Sequence, residues 1–159
     1  MNERWDLTPI YESLDASEYA ADMAALGETV KALEAFAAGL PRADHAQALT
    51  EALTLEEKLT GLEMKLATYA ELLQAADTRN SRAMSAMGQV IALDAAAAAP
   101  LAAVRAWIGG LEDLDTLTAG DSMPGAYRHL LERIRKDKIH QLPGIGEEVV
   151  AKLSRSDAW

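Results

Sequence analysis

Apolar residues recur every three or four positions along most of this chain. The longest unbroken stripe is His45, Ala48, Ala52, Leu55, Leu59, Leu62, Leu66, Tyr69, Leu73 and Ala76, a heptad seam in alternating steps of three and four. A period near 3.5 keeps such a stripe on one side of a helix over about nine turns, or roughly 45–50 Å. Glu51, Glu56, Glu57, Lys58, Glu63, Lys65 and Glu71 fall off the stripe, so the opposite face is wet. The pattern therefore predicts one helix over 44–76. Its narrow stripe needs neighbours of similar length.

The flanking stretches repeat the pattern. Tyr19, Met23, Leu26, Val30, Leu33, Ala37 and Leu40 predict a helix over 15–39, with Asp15 and Glu18 spaced as a capping box and Gly39 and Pro41 as the stop. Asp44 is placed to cap the long helix, and Thr78 or Asn80 to cap a third over 80–108. That third helix admits two phases. One stripe runs Ala83, Met87, Val90, Asp94, Ala97, Leu101, Val104, Ile108; the other runs Met84, Met87, Ile91, Ala95, Ala98 and avoids Asp94. The first would bury Asp94 and the second turns it outward. Pro100 predicts a kink or break, and Gly109-Gly110 the end. Residues 111–122 read as a loop with a single helical turn. Ser122 and Pro124 open a helix over 123–139, and a short one is expected over 147–153. Residues 1–14 lack periodicity, and Trp5, Ile10 and Tyr11 are expected to pin this arm onto the helices. Short turns make consecutive helices antiparallel. The fold class is all-α, a single domain of three long up-down-up helices and two shorter ones.

Composition agrees: 32 of 159 residues are Ala, the strongest helix former, and eight are aromatic. The net charge of −10 argues against nucleic acid or an anionic membrane as partner. The charge is uneven, because residues 122–159 carry seven bases against five acids. Cys is absent, which removes disulfides and thiol chemistry and suits a cytoplasmic location. No run of about 18 apolar residues occurs, so no membrane span is expected, and the N-terminus lacks the features of a signal peptide.

Catalytic signals are sparse. The three His are 45, 129 and 140; no two are four apart and no H-E-x-x-H occurs. His45 begins a seam, and His129 and His140 lie in a basic stretch with Arg128, Arg133, Arg135, Lys136 and Lys138. Gly144-Ile145-Gly146 lacks the strand and further glycine of a dinucleotide cradle. No catalytic residue, metal ligand or cofactor-binding residue is assigned. The residues alone describe a helical bundle without a visible active site.

Four landmarks carry a resemblance. Arg4-Trp5-Asp6-Leu7-Thr8-Pro9-Ile10-Tyr11 opens the chain. Leu66-Ala67-Thr68-Tyr69-Ala70 precedes Ala76-Asp77-Thr78. Tyr127-Arg128-His129-Leu130-Leu131-Glu132-Arg133 precedes Ile139-His140-Gln141-Leu142, and Ser156, Ala158 and Trp159 close the chain. In type and order these resemble the N-terminal part of oligoendopeptidase F, among the thimet-oligopeptidase-like zinc metallopeptidases. Pro143-Gly144-Ile145-Gly146 departs from the Ser/Glu-rich stretch of that family. The resemblance implies a non-catalytic helical domain that helps enclose a peptide channel, with zinc and H-E-x-x-H in a catalytic domain lying beyond this chain. It implies that domain as partner; self-association through apolar surface is the alternative, from a stand-alone helical interaction protein. Trp5, Tyr11, Tyr127, Arg128, His129 and Trp159 are the candidate contact residues.

Overall fold

The computed structural model describes residues 6–140. Among these the regular structure is helical throughout: α1 (Ser17–Ala38), α2 (His45–Ala76), α3 (Ser81–Ile108), α4 (Leu114–Leu117), α5 (Met123–Ala126) and α6 (Arg128–His140). The expected helix at 147–153 lies outside the described residues. The chain forms two compact units, 1–107 and 108–159.

In the first unit, α1 and α2 pack closely. Tyr19 on α1 lies beside Tyr69 on α2, and Asp22 pairs with Lys65. The pairing advances on one helix as it recedes on the other, as antiparallel neighbours require. The same holds for α2 and α3, where Glu56 pairs with Arg105 and His45 lies edge-on to Trp107. Leu26, Val30 and Leu33 of α1 and Ala48, Ala52, Leu59, Leu66 and Tyr69 of α2 are buried, as their seams predict. Leu49, Leu53 and Ala70 are buried as well, because α2 has helices on two sides and a single seam serves one. Thr29 is also buried; its Oγ1 donates to the Ala25 carbonyl at 2.7 Å, which satisfies the hydroxyl within its own helix.

Capping follows the sequence except at α1. Asp44 accepts from the Gln47 N–H at 3.0 Å, Asn80 from Ala83 at 3.1 Å and Ser122 from Gly125 at 3.2 Å. The capping box at Asp15 does not form. The N-cap is Ala16, and Asp15 instead bonds Arg82 of α3 at 2.6 Å. An arginine within reach gives that carboxylate a charge-assisted partner stronger than a neutral N–H.

α3 decides two points the sequence left open. Its helix continues through Pro100 without a break. The carbonyl that Pro100 leaves without its helical donor belongs to Ala96, which is exposed, so solvent can reach it. Asp94 is exposed, although the buried positions Ala83, Val90, Ala97, Val104 and Ile108 follow the stripe that contained it. Leu93, half-buried, takes that level of the seam. The Met84–Ile91–Ala95–Ala98 stripe faces outward, with Met84 46% and Ile91 58% exposed.

In the second unit Ile108, Leu111, Leu114, Leu131 and Ile134 are buried. The helix predicted over 123–139 is divided at Tyr127 into α5 and α6. Gly125 sits so close to the Gly120 carbonyl that a Cβ would collide with it, and Gly120 has φ 91°, a conformation that favours glycine. This tight approach sets the α5 turn independently of α6. Arg135 reaches Asp115 with two hydrogen bonds, 2.9 and 3.1 Å, and ties α6 to α4.

Replacing the fully buried Leu66 by Ala is expected to destabilise the protein by about 2–4 kcal/mol. Met64→Ala, at a position 66% exposed two residues away, should change stability by less than about 0.5 kcal/mol. Denaturant titration of the two variants checks the phase of α2.

Candidate functional site

The turn preceding α1 is held by backbone hydrogen bonds from Ile10 and Tyr11 to the Leu7 carbonyl, at 3.0 and 3.2 Å. It delivers Tyr11 into the junction of α1 and α2. There the Tyr11 ring meets Tyr19 and Tyr69 edge-on, with centroids 5.3 and 5.0 Å away. Such edge-to-face pairs add to the area they bury. The Tyr11 hydroxyl donates to Asp22 at 2.5 Å, and Lys65 donates to the same carboxylate oxygen at 2.7 Å. Lys65 Nζ lies 4.3 Å from the Tyr11 ring centroid. Burial raises the Tyr11 phenol well above its ordinary range, and the adjacent Asp22 carboxylate adds to the effect. The hydrogen bonds from Lys65, then from Tyr11, hold Asp22 below its ordinary value.

Two cavities flank this cluster. One, about 410 Å³, opens between the Tyr11 turn and the C-terminal end of α2; Asp6, Glu12, Tyr11, Tyr69, Leu73 and Asp77 line it. The other, about 250 Å³, lies against Tyr19, with Arg82, Ser85 and Gln89. The Tyr19 hydroxyl is buried without a hydrogen-bond partner. The chain's pattern marked Tyr19 and Tyr69 as seam residues; nothing in the periodicity said that a third tyrosine from the arm would join them.

Tyr11, a candidate partner contact, lies in the interior. It is 1% exposed, spent on packing this arm against α1 and α2. Tyr127 is half-buried, while Arg128 and His129 are exposed at the start of α6. Trp5 and Trp159 lie outside the described residues. The basic stretch is partly neutralised in place, since Arg135 is paired with Asp115 and Arg128 approaches Glu132 at 3.9 Å. Arg133, Lys136 and Lys138 are exposed.

No group of three or more His, Cys, Asp or Glu among the described residues is placed to hold a metal ion. One orphaned carboxylate stands out. Glu63 of α2 has a buried oxygen with no hydrogen-bond partner, and burial followed by the nearby Asp94 raises its pKa.

The outer face of α3 carries exposed apolar residues. Met84, Gly88, Ile91, Ala95, Ala98 and Ala102 form a second heptad-spaced stripe, and all are exposed. By length and composition α3 is apolar enough to cross a membrane, although no uninterrupted apolar run exists, and 22% of its apolar window is buried. Its charged residues are Arg82, Asp94 and Arg105. Asp near the middle of a spanning helix costs about 2.5–3.5 kcal/mol on insertion.

No family model, curated protein or solved structure matches the chain.

Two carboxylates give opposite pH signatures. Asp22, with a lowered folded pKa, contributes stability above its ordinary value that is lost as pH falls through the folded pKa. Asp22→Asn should destabilise the protein at pH 7 by about 1–2 kcal/mol, with the difference shrinking below about pH 4. Glu63 has a raised folded pKa, so its charge penalty is full at pH 7 and relieved as pH falls through that pKa. Glu63→Gln should stabilise the protein at pH 7 by about 0.5–1 kcal/mol, with no gain near pH 4. Thermal melts across this range test both signs.

Proposed function

We propose that this chain is the non-catalytic N-terminal helical domain of an oligoendopeptidase F-like zinc metallopeptidase. Its role would be to scaffold and enclose the oligopeptide channel of a catalytic domain in the cytoplasm. The observation that carries the reading is the outer stripe of α3. Met84 and Ile91 stand exposed on an otherwise Ala-rich face. A domain built to pack against another keeps such a surface, whereas monomeric proteins seldom expose contiguous apolar area of this kind. The four sequence landmarks supply the family.

A second reading draws on the same stripe. Its heptad spacing is that of a helix–helix seam, so a stand-alone interaction or oligomerisation protein would present it equally well. The two readings differ in what covers the stripe.

Purified alone, the chain is expected to leave fluorogenic oligopeptides intact with or without added Zn²⁺. Co-expressed with the H-E-x-x-H-bearing part of an oligoendopeptidase F, it should copurify with it, and Ile91→Lys should abolish the association. Zinc-dependent hydrolysis by the chain alone would overturn the domain reading. Failure to copurify, together with concentration-dependent self-association in sedimentation that Ile91→Lys abolishes, would favour the second.

A further inference from the structure

We propose, independently of the peptidase reading, that the cavity beside Tyr19 is a binding site for a carboxylate on a short apolar stem, carried by a free acid or by the C-terminus of a peptide. The cavity holds about 250 Å³, room for a small acid, and lies between the start of α1 and the first turns of α3. Leu14 and Tyr19 line one side of it; Arg82, Ser85, Ala86 and Gln89 of α3 line the other. Arg82, Ser85 and Gln89 follow one another at steps of three and four, so they share one helix face. They bring a guanidinium, a hydroxyl and a carboxamide N–H, donors that suit an anion with several lone pairs. Leu14 and Ala86 offer apolar contact for the stem.

Tyr19 points to a ligand independently of these groups. It is 7% exposed and forms part of the cavity wall, and its hydroxyl is buried without a hydrogen-bond partner among the described residues. Buried polar groups are ordinarily paired, with protein or with water. The Tyr11 and Tyr69 rings, with centroids 5.3 and 6.1 Å away, hold the Tyr19 ring in place, so its hydroxyl does not swing out to solvent. A carboxylate in the adjoining space supplies the acceptor that the phenolic O–H lacks. The local field has the sign an anion requires. α1 and α3 are both antiparallel to α2, so their N-termini lie at the same end. α1 has no side-chain cap at Ala16, which leaves its first-turn N–H groups without intrahelical acceptors. Arg82, in the first turn of α3, adds a full charge. Asp15 accepts from Arg82 Nη2 at 2.6 Å, so this guanidinium already takes a carboxylate, and its fork keeps further N–H groups for a second. Asp15 and Glu18, the acids beside the start of α1, are exposed, where water and salt screen them.

The test is titration of the full chain with sodium propionate, followed by backbone amide NMR shifts, with sodium chloride at equal ionic strength as reference. Shifts that saturate and cluster at residues 14–19 and 82–89 are expected. Arg82→Gln should weaken binding at least fivefold, and Tyr19→Phe about threefold. Arg82 is exposed and its ion pair with Asp15 contributes little to stability, so Arg82→Gln should fold. Tyr19→Phe keeps the ring and removes only the orphaned hydroxyl, so without propionate its melting temperature should be no lower than that of the parent protein. Affinity lost without loss of stability separates ligand contact from a structural role. N-acetylalanine, titrated in parallel, carries the carboxylate of a peptide C-terminus, and its affinity relative to propionate distinguishes the two sources. Shifts reproduced by sodium chloride, shifts elsewhere, propionate bound no more tightly than inorganic phosphate, or unchanged affinity in either variant would each overturn the proposal.

Discussion

A 32-residue helix with an apolar stripe too narrow to be buried by itself is the constraint on which the first unit depends. α2 exposes that stripe to water unless helices of comparable length lie along it. The chain meets the requirement twice, with α1 before it and α3 after it. Short connections make both neighbours antiparallel, and the cross-helix pairs Asp22–Lys65 and Glu56–Arg105 fall in that order. Exposed ion pairs such as Asp15–Arg82 contribute little energy individually. Burial of Leu59, Leu66 and their neighbours supplies the larger share.

The arm before α1 is secured by different physics. Its backbone is irregular, so it gains no ladder of helical hydrogen bonds. Among its described residues, Tyr11 is the buried aromatic anchor. Tyr11 brings ring area to two helices and a hydroxyl to Asp22, and Lys65 lies against both the ring and the carboxylate. The cluster leaves the buried hydroxyl of Tyr19 without a partner among the described residues, and a cavity lies beside it. Packing that satisfies the rings thus leaves a polar group facing a small space.

α3 divides its apolar residues between two faces. One face is buried through Ala83, Val90, Ala97 and Val104, with small side chains at two of these four levels. The other carries Met84 and Ile91 outward. A helix with partners on both sides would bury both faces, so the exposed one stands out among the described residues. Half-buried Glu63 on α2 feels the exposed Asp94 carboxylate of α3, and burial together with that charge works against its ionised form.

Much of the architecture was legible from residue order. Heptad spacing located α1, α2 and α3 to within about two residues, because a stripe of apolar side chains can be buried in water only on a regular helix. Asp44, Asn80 and Ser122 announced their helix starts, since each acts within three residues of itself. What the sequence could not decide is whatever depends on a partner remote in the chain. Asp15 reads as a cap until Arg82, 67 residues away, claims it. Asp94 sits on the buried period until the helix rotates slightly and Leu93 takes its level. Tyr11 looks available to a partner until α1 and α2 converge on it, and the Tyr69 cavity exists only once the arm is folded across the end of α2. Periodicity is a local property of the chain, whereas competition for a charge, a ring face or a void is settled only when distant segments meet.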